Sequence, residues 1–318
     1  MTKHTEHGHD GHHGTHGAHG QQQGSEPAVH SHGHGHDAVD FDWDVMGPRL
    51  EQEGELGMGQ YREAARWIAG LPSAPTVRRV LDVGSGPGVV TCLLAEVFPE
   101  AEVVAVDGTP ALLERARARA QRLGLGDRVR TLHAELPDDL GKLEEADLIW
   151  AGNSLHHMGD QRGILAGFAG LLRPGGAVAL VEGGLPTRQL PRDIGIGRAG
   201  LEARLDAVSA DWFADMRAAL PDAKQETEDW NALFTAVGLE PHGPRSFLLD
   251  LPAPLSATAR EYVVASFARQ REGFAERLSA EDIAVLDRLL DPEDPAGLHH
   301  REDVFVLSAR TVHLARKV

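Results

Sequence analysis

Four groups of residues in this 318-residue chain have the types and spacing to do chemistry. Gly84-Ser85-Gly86-Pro87-Gly88 alternates glycine with small residues, so the backbone there can take positive φ and a ligand can lie against bare peptide groups. Asp107 follows about 20 residues later, where an acid can accept both hydroxyls of a ribose. His156-His157 sets two imidazoles side by side, and histidine is the side chain suited to general-base work near neutral pH. Eleven of the 18 histidines precede Asp37, among them His30, His32, His34 and His36. Imidazole is a ligand for Zn, Ni, Cu and Co, so that segment is a candidate transition-metal binder.

These residues need elements to hold them. Val80, Leu81 and Val83 form a short apolar run of the kind found in a strand buried on both faces. Residues 89–97 read as an apolar helix whose first N–H groups point back at the glycine turn. Strand, glycine turn and helix open a nucleotide-binding βαβ unit. The dinucleotide fingerprint G-x-G-x-x-G needs a third glycine where Val89 stands, so it fails. A second strand at 102–107 ends in Asp107, and a helix at 111–123 is stopped by Gly124. A third strand is expected at 128–135 and a fourth at 146–151, running into Asn153-Ser154-Leu155-His156-His157. Leu172-Arg173-Pro174-Gly175-Gly176 is a turn before a fifth strand at 177–181. Upstream, residues 58–70 carry Tyr61, Ala64, Ala65 and Ile68 on one helical stripe, ended by Gly70 and Pro72.

Taken in order, the G-x-G-x-G turn, the acid after the second strand, the strand leading into Leu155-His156-His157 and the Leu-Arg-Pro-Gly-Gly turn resemble the class I, Rossmann-like S-adenosylmethionine (SAM) methyltransferases. The resemblance covers residues 80–182. It implies an α/β fold with a doubly wound, seven-stranded, mostly parallel sheet. It implies SAM as cofactor, held by Gly84, Ser85, Gly86, Asp107 and Gly108. Ala134 would offer a backbone amide to the adenine edge. Glu135, longer than the family's usual Asp, would accept from the exocyclic amine. The backbone of Asn153 and Ser154 would face the methionine part. His156 and His157 would lie beside the sulfonium as candidate bases, with Glu182 a second candidate for base or acceptor contact. A helix at 58–70 often lies over the cofactor in this family, which would bring Tyr61 and Arg62 to it. Arg188, Arg192 and Arg198 are candidates to hold a carboxylate acceptor, which needs no base.

Outside that span the signals are organisational. Residues 1–40 have almost no large apolar side chains and are expected to be a disordered His-rich arm. Residues 41–183 are the expected SAM-binding core. Residues 184–318 are expected to supply a helical cap, with Trp212 and Trp230 in it, plus a strand at 245–251 and one closing strand over 304–307 and 311–315, both in the same sheet. A formal charge of −17 argues against nucleic acid as a main partner. The chain has neither an apolar run of about 20 residues nor a signal-peptide h-region, so no membrane span and a cytoplasmic location are expected. Cys92 is the single cysteine, which excludes an intrachain disulfide. The reading is methyl transfer from SAM to a small-molecule acceptor, with oxygen favoured over nitrogen or carbon, by a monomer or homodimer. The alternatives are a peptide or protein methyltransferase using the cap as a groove, and a metal-binding protein that takes Ni or Zn on its arm and keeps a vestigial SAM fold.

Overall fold

The apolar run at residues 80–83 becomes an inner strand of a seven-stranded sheet. The structure is a computed structural model that describes residues 43–71 and 76–318. The His-rich arm, with His30, His32, His34 and His36, lies outside the described residues, and so does Pro72. β1 (Arg79–Val83) runs parallel between β2 (Glu102–Asp107) and β4 (Ala146–Gly152). β3 (Val129–His133) lies beyond β2, and β5 (Leu172–Arg188) beyond β4. β7 (Val306–Arg316) and β6 (Glu240–Leu251) finish the sheet antiparallel, giving the order β3-β2-β1-β4-β5-β7-β6. The chain winds outward from β1 in both directions. The β1/β4 junction is therefore the switch point, and ligands in open α/β sheets bind beyond the carboxyl ends of the strands at such a point.

Alternation along the strands builds two cores. Val80, Leu148, Trp150, Ala179 and Val181 face one side, with α2 (Met58–Ala69) and α3 (Val89–Val97). Leu81, Val83, Ile149, Ala151, Val178 and Leu180 face the other, with α5 (Gln161–Leu171) and α7 (Trp230–Ala236). Period-two side-chain direction on strands that are buried on both faces produces this division. A third cluster belongs to the cap: Leu201 and Leu205 of α6 (Leu201–Ala219), Val263 and Phe267 of α8 (Ala257–Gly273), and Val285, Leu286 and Leu289 of α9 (Ala280–Leu290). Ser256 and Ser279 cap the last two helices, each accepting a backbone N–H three residues on. The Arg204 guanidinium ties α6 to α9 through Asp282, at 2.6 Å. Among the described residues no helix is long and apolar enough to cross a membrane.

The structure departs from the sequence reading in three places. A helix not anticipated, α1 (Trp43–Leu56), precedes α2 despite Gly47, Pro48 and Gly54. It crosses α3 and α4 (Pro110–Arg122), where Glu51 and Glu55 meet Arg115 and Arg119 at 3.5 and 2.7 Å. A methyl at Gly54 would sit 3.0 Å from the Val89 Cβ, so the helix-breaking residue is what lets α1 come close. β5 is also much longer than expected, because its far half pairs with β7 as far as Arg188 opposite Leu307. Trp230, expected in the cap, packs into the sheet core with α5.

Gly88 is packed tightly between α3 and α4. It has φ +76°, and a methyl there would lie 2.6 Å from Ala116 Cβ and 2.8 Å from its Cα. Left-handed strain and overpacking add. Gly88→Ala is expected to lose about 2–4 kcal/mol of stability in urea unfolding. An unchanged midpoint would contradict the packing described.

Candidate active site

The glycine turn divides its work. Gly84, Gly86 and Gly88 all have positive φ. A methyl at Gly84 would lie 2.6 Å from the Ser154 Cβ, so this glycine lets the end of β4 close onto β1. A methyl at Gly86 would meet no protein atom within 4 Å, so this glycine is the one turned toward ligand space. The amides of Gly84 and Ser85 both donate to Val106 O, at 2.9 and 3.1 Å, which locks the turn to β2. Asp107 completes it. Its Oδ2 accepts the Gly86 N–H at 2.9 Å and its Oδ1 the Thr109 N–H at 2.8 Å. Each carboxylate oxygen keeps a lone pair for a further donor. The Ser85 hydroxyl is buried and has no hydrogen-bond partner among the described residues. An open cradle at Gly86, an orphaned hydroxyl and a fixed carboxylate fit a nucleoside with a polar tail.

Beneath the turn, Asp82 is buried and accepts the Thr91 hydroxyl at 2.6 Å. Burial pushes its carboxyl up to about 7; the Thr91 bond opposes the rise and the Asp107 charge adds to it. The folded protein thus holds a proton that the unfolded chain loses near pH 4. This contribution to stability is complete below about pH 4 and is lost as pH rises to about 7. Asp82→Asn, whose amide oxygen still accepts from Thr91, removes the dependence. The melting temperature of the variant relative to the parent protein is expected to be more favourable at pH 8 than at pH 4.5. An equal difference at both pH values would contradict this.

At the β2/β3 corner the structure changes one assignment. The Ala134 amide, expected to read an adenine edge, donates instead to Asp107 O at 3.1 Å and extends the ladder by one residue. The Glu135 amide is also engaged, by Asp139 Oδ2 at 3.0 Å. The exposed Glu135 carboxylate has no hydrogen-bond partner among the described residues. Gly108 packs against it, since a methyl there would approach Glu135 Cγ at 3.3 Å. His133 Nε2 lies 3.0 Å from Gly108 O and ties the corner down.

The end of β4 is organised by Glu182. Its Oε1 accepts the Ser154 and Leu155 amides at 3.0 and 2.9 Å, and its Oε2 is 3.0 Å from His156 Nδ1. This buried carboxylate, considered from sequence as a base or acceptor contact, is engaged on both oxygens and anchors the turn. The Asn153 amide is likewise used, by Val181 O at 3.0 Å, so neither this N–H nor that of Ser154 is available to a cofactor. Asn153 itself takes φ +51°, and its Nδ2 donates to the Tyr61 hydroxyl at 3.4 Å. The His156 and His157 rings are 4.2 Å apart. Arg217 of α6 donates to the carbonyls of His156 and Met158, at 2.8 and 2.6 Å, fastening the cap to the histidine turn.

The other sequence candidates separate. Arg62 pairs with Glu96 at 2.8 Å, and Arg188 with Asp206 at 2.5 Å. Arg192 and Arg198 are exposed. Among the described residues no group of His, Cys, Asp and Glu can hold a metal ion. Arg217, which fastens the cap to the histidine turn, was missed by sequence reasoning, because its two partners lie about 60 residues away in the chain. Glu182→Gln tests the anchor. A carboxamide keeps one acceptor oxygen and turns an N–H₂ toward His156, so a loss of about 1–3 kcal/mol in urea unfolding is expected. No loss would mean that the turn holds without it.

Comparison with known proteins agrees with this geometry. Residues 81–178 match the family profile described as a methyltransferase domain. A trans-aconitate 2-methyltransferase from Methylobacterium radiotolerans is 38% identical over 44% of this chain and 48% of its own length. The chain thus spans about half the length of that relative. One of the same name from Acidovorax sp. is 27% identical over 78% of this chain and 96% of its own. A solved SAM-dependent methyltransferase from Geobacter sulfurreducens, in complex with S-adenosyl-L-homocysteine, is 20% identical over 79% of this chain and 89% of that one, at a TM-score of 0.42. Over residues 81–178 the chain is thus similar to SAM-dependent methyltransferases.

Proposed function

We propose that this protein transfers a methyl group from SAM to an oxygen atom of a small-molecule acceptor. The observation that carries the reading is a convergence at the β1/β4 switch point. The glycine turn, the Asp107 carboxylate and the Glu182-anchored histidine turn all open onto the carboxyl ends of the strands. Gly86 offers bare backbone and Ser85 a hydroxyl to the cofactor's amino-acid end. Asp107 takes the ribose hydroxyls and Glu135 the exocyclic amine of adenine. The relatives named trans-aconitate 2-methyltransferase support a small acceptor.

When bound, the sulfonium supplies the methyl: an acceptor lone pair forms the O–CH₃ bond as the S–CH₃ bond breaks, leaving its electron pair on sulfur. The protein's part is to hold that lone pair in line and keep water out. Glu182 accepts from His156 Nδ1, which leaves Nε2 as the nitrogen able to take the proton of a hydroxyl acceptor. Arg217, reaching down from the cap, keeps the histidine turn in register with the helix above it.

The test is calorimetric and chemical. Full-length protein is expected to bind SAM and, given an acceptor, to release S-adenosylhomocysteine detectable by mass spectrometry. Asp107→Ala loses the carboxylate that braces Gly86 and Thr109, and is expected to weaken SAM binding by roughly 10- to 100-fold. Binding of a nicotinamide nucleotide in place of SAM, or unaltered SAM affinity in the variant, would overturn the reading.

A further inference from the structure

Tyr61 stands beside the histidine turn, and Tyr262, the chain's other tyrosine, is within electrostatic reach of it. Tyr61 packs on the α2 face of the sheet, and its hydroxyl takes the Asn153 amide at 3.4 Å. Arg310 stands on β7 opposite Gly184 of β5 and Phe247 of β6. Directly opposed residues share a face of the sheet, and Phe247, Val312 and Leu314 all belong to the core cluster that Tyr61 joins. Arg310 therefore reaches the same side, beside the Tyr61 hydroxyl, two residues beyond Glu182 along β5. Tyr262 and Arg269 come from above. They lie seven residues apart on α8, on one face of that helix, and Tyr262 is within electrostatic reach of Tyr61, Arg310 and Arg269. α1 closes the side, with Leu56 in the cap cluster and Gln52 bonded to Thr258 O. Glu53 of α1 is the acid that faces both tyrosines.

The chemistry of this corner is that of a donor surface. Among the described residues neither Arg310 nor Arg269 forms an ion pair, whereas Arg62 and Arg188 do. Burial raises both phenols above their usual range, so each keeps its O–H proton at neutral pH. Two guanidinium groups and two phenolic O–H groups match a carboxylate, whose oxygens accept several donors at once. We propose that this corner seats the acceptor, and that the acceptor is a small organic acid. One of its carboxylates is held by Arg310 and Tyr61 from the sheet and by Tyr262 and Arg269 from the cap. The anchored carboxylate leaves a second oxygen of the same molecule for the methyl. This rests on the methyl-transfer reading above and adds the acceptor class to it.

The experiment uses the full chain with SAM and a panel of probes: succinate, fumarate, citrate and trans-aconitate, each against its neutral amide. Acids are expected to be methylated or to compete for the site, and the amides to do neither. Arg310→Gln is expected to raise the acceptor KM roughly 10- to 100-fold, while the S-adenosylhomocysteine Kd stays within about twofold. Arg310→Lys is expected to recover part of the loss, and Tyr262→Phe to raise KM several-fold with the fold intact. An acceptor KM unchanged in Arg310→Gln, amides serving as well as acids, or no acid of the panel binding to a protein that does bind S-adenosylhomocysteine would each overturn the proposal alone. A parent protein that fails to bind S-adenosylhomocysteine would overturn the cofactor reading as well.

Discussion

No side chain fits at Gly84 or Gly88, and the site follows from that constraint. At Gly84 the missing Cβ lets Ser154 close onto the end of β1, and at Gly88 it lets Ala116 close onto the start of α3. The two contacts draw β4 and α4 against the same turn from opposite sides. Gly86 lies between them with space in front of it. The turn is thereby held rigid by packing and backbone bonds to Val106, and its ligand-facing peptide groups stay bare. Substituting the outer glycines strains the scaffold, whereas substituting the middle one fills the cradle.

Charge burial extends the same frame toward the acceptor. Glu182 sits at the end of the β5 core run, where an unpaired carboxylate would cost several kcal/mol. Two amide N–H groups and an imidazole offset that cost, and in doing so they fix the Asn153–His157 turn. Arg217 adds the cap to the network through two carbonyls of that turn. The cap and the cofactor platform are thus joined through the residues nearest the expected chemistry. Any shift of α6 is felt at His156.

Much of this was legible in the sequence because its signals are local. The G-x-G-x-G turn, the apolar run before it and Asp107 lie within one βαβ unit, and α3 and β2 fall where periodicity places them. The histidine turn after β4 is also local. What escaped depends on residues distant in the chain. The length of β5 is set by a partner strand more than a hundred residues later. α1 forms through contacts that override the poor propensity of Gly47, Pro48 and Gly54. The anchoring role of Glu182 exists only because two strand ends meet. The cationic corner had to be sought among Arg188, Arg192 and Arg198, the nearest arginines in sequence. The proposed corner takes Arg310 from the last strand and Arg269 from the cap.

The central claim is that residues 84–88, with Asp107 and Glu135, form the seat of a sulfonium nucleoside. Titrating isotope-labelled protein with S-adenosylhomocysteine, and following the backbone amides by NMR, tests it most directly. The account predicts that the largest shifts fall on Ser85, Gly86, Gly108 and Glu135, with smaller ones on Asn153–His157 and little change along β6. Shifts absent from the glycine turn, or centred elsewhere in the chain, would contradict it.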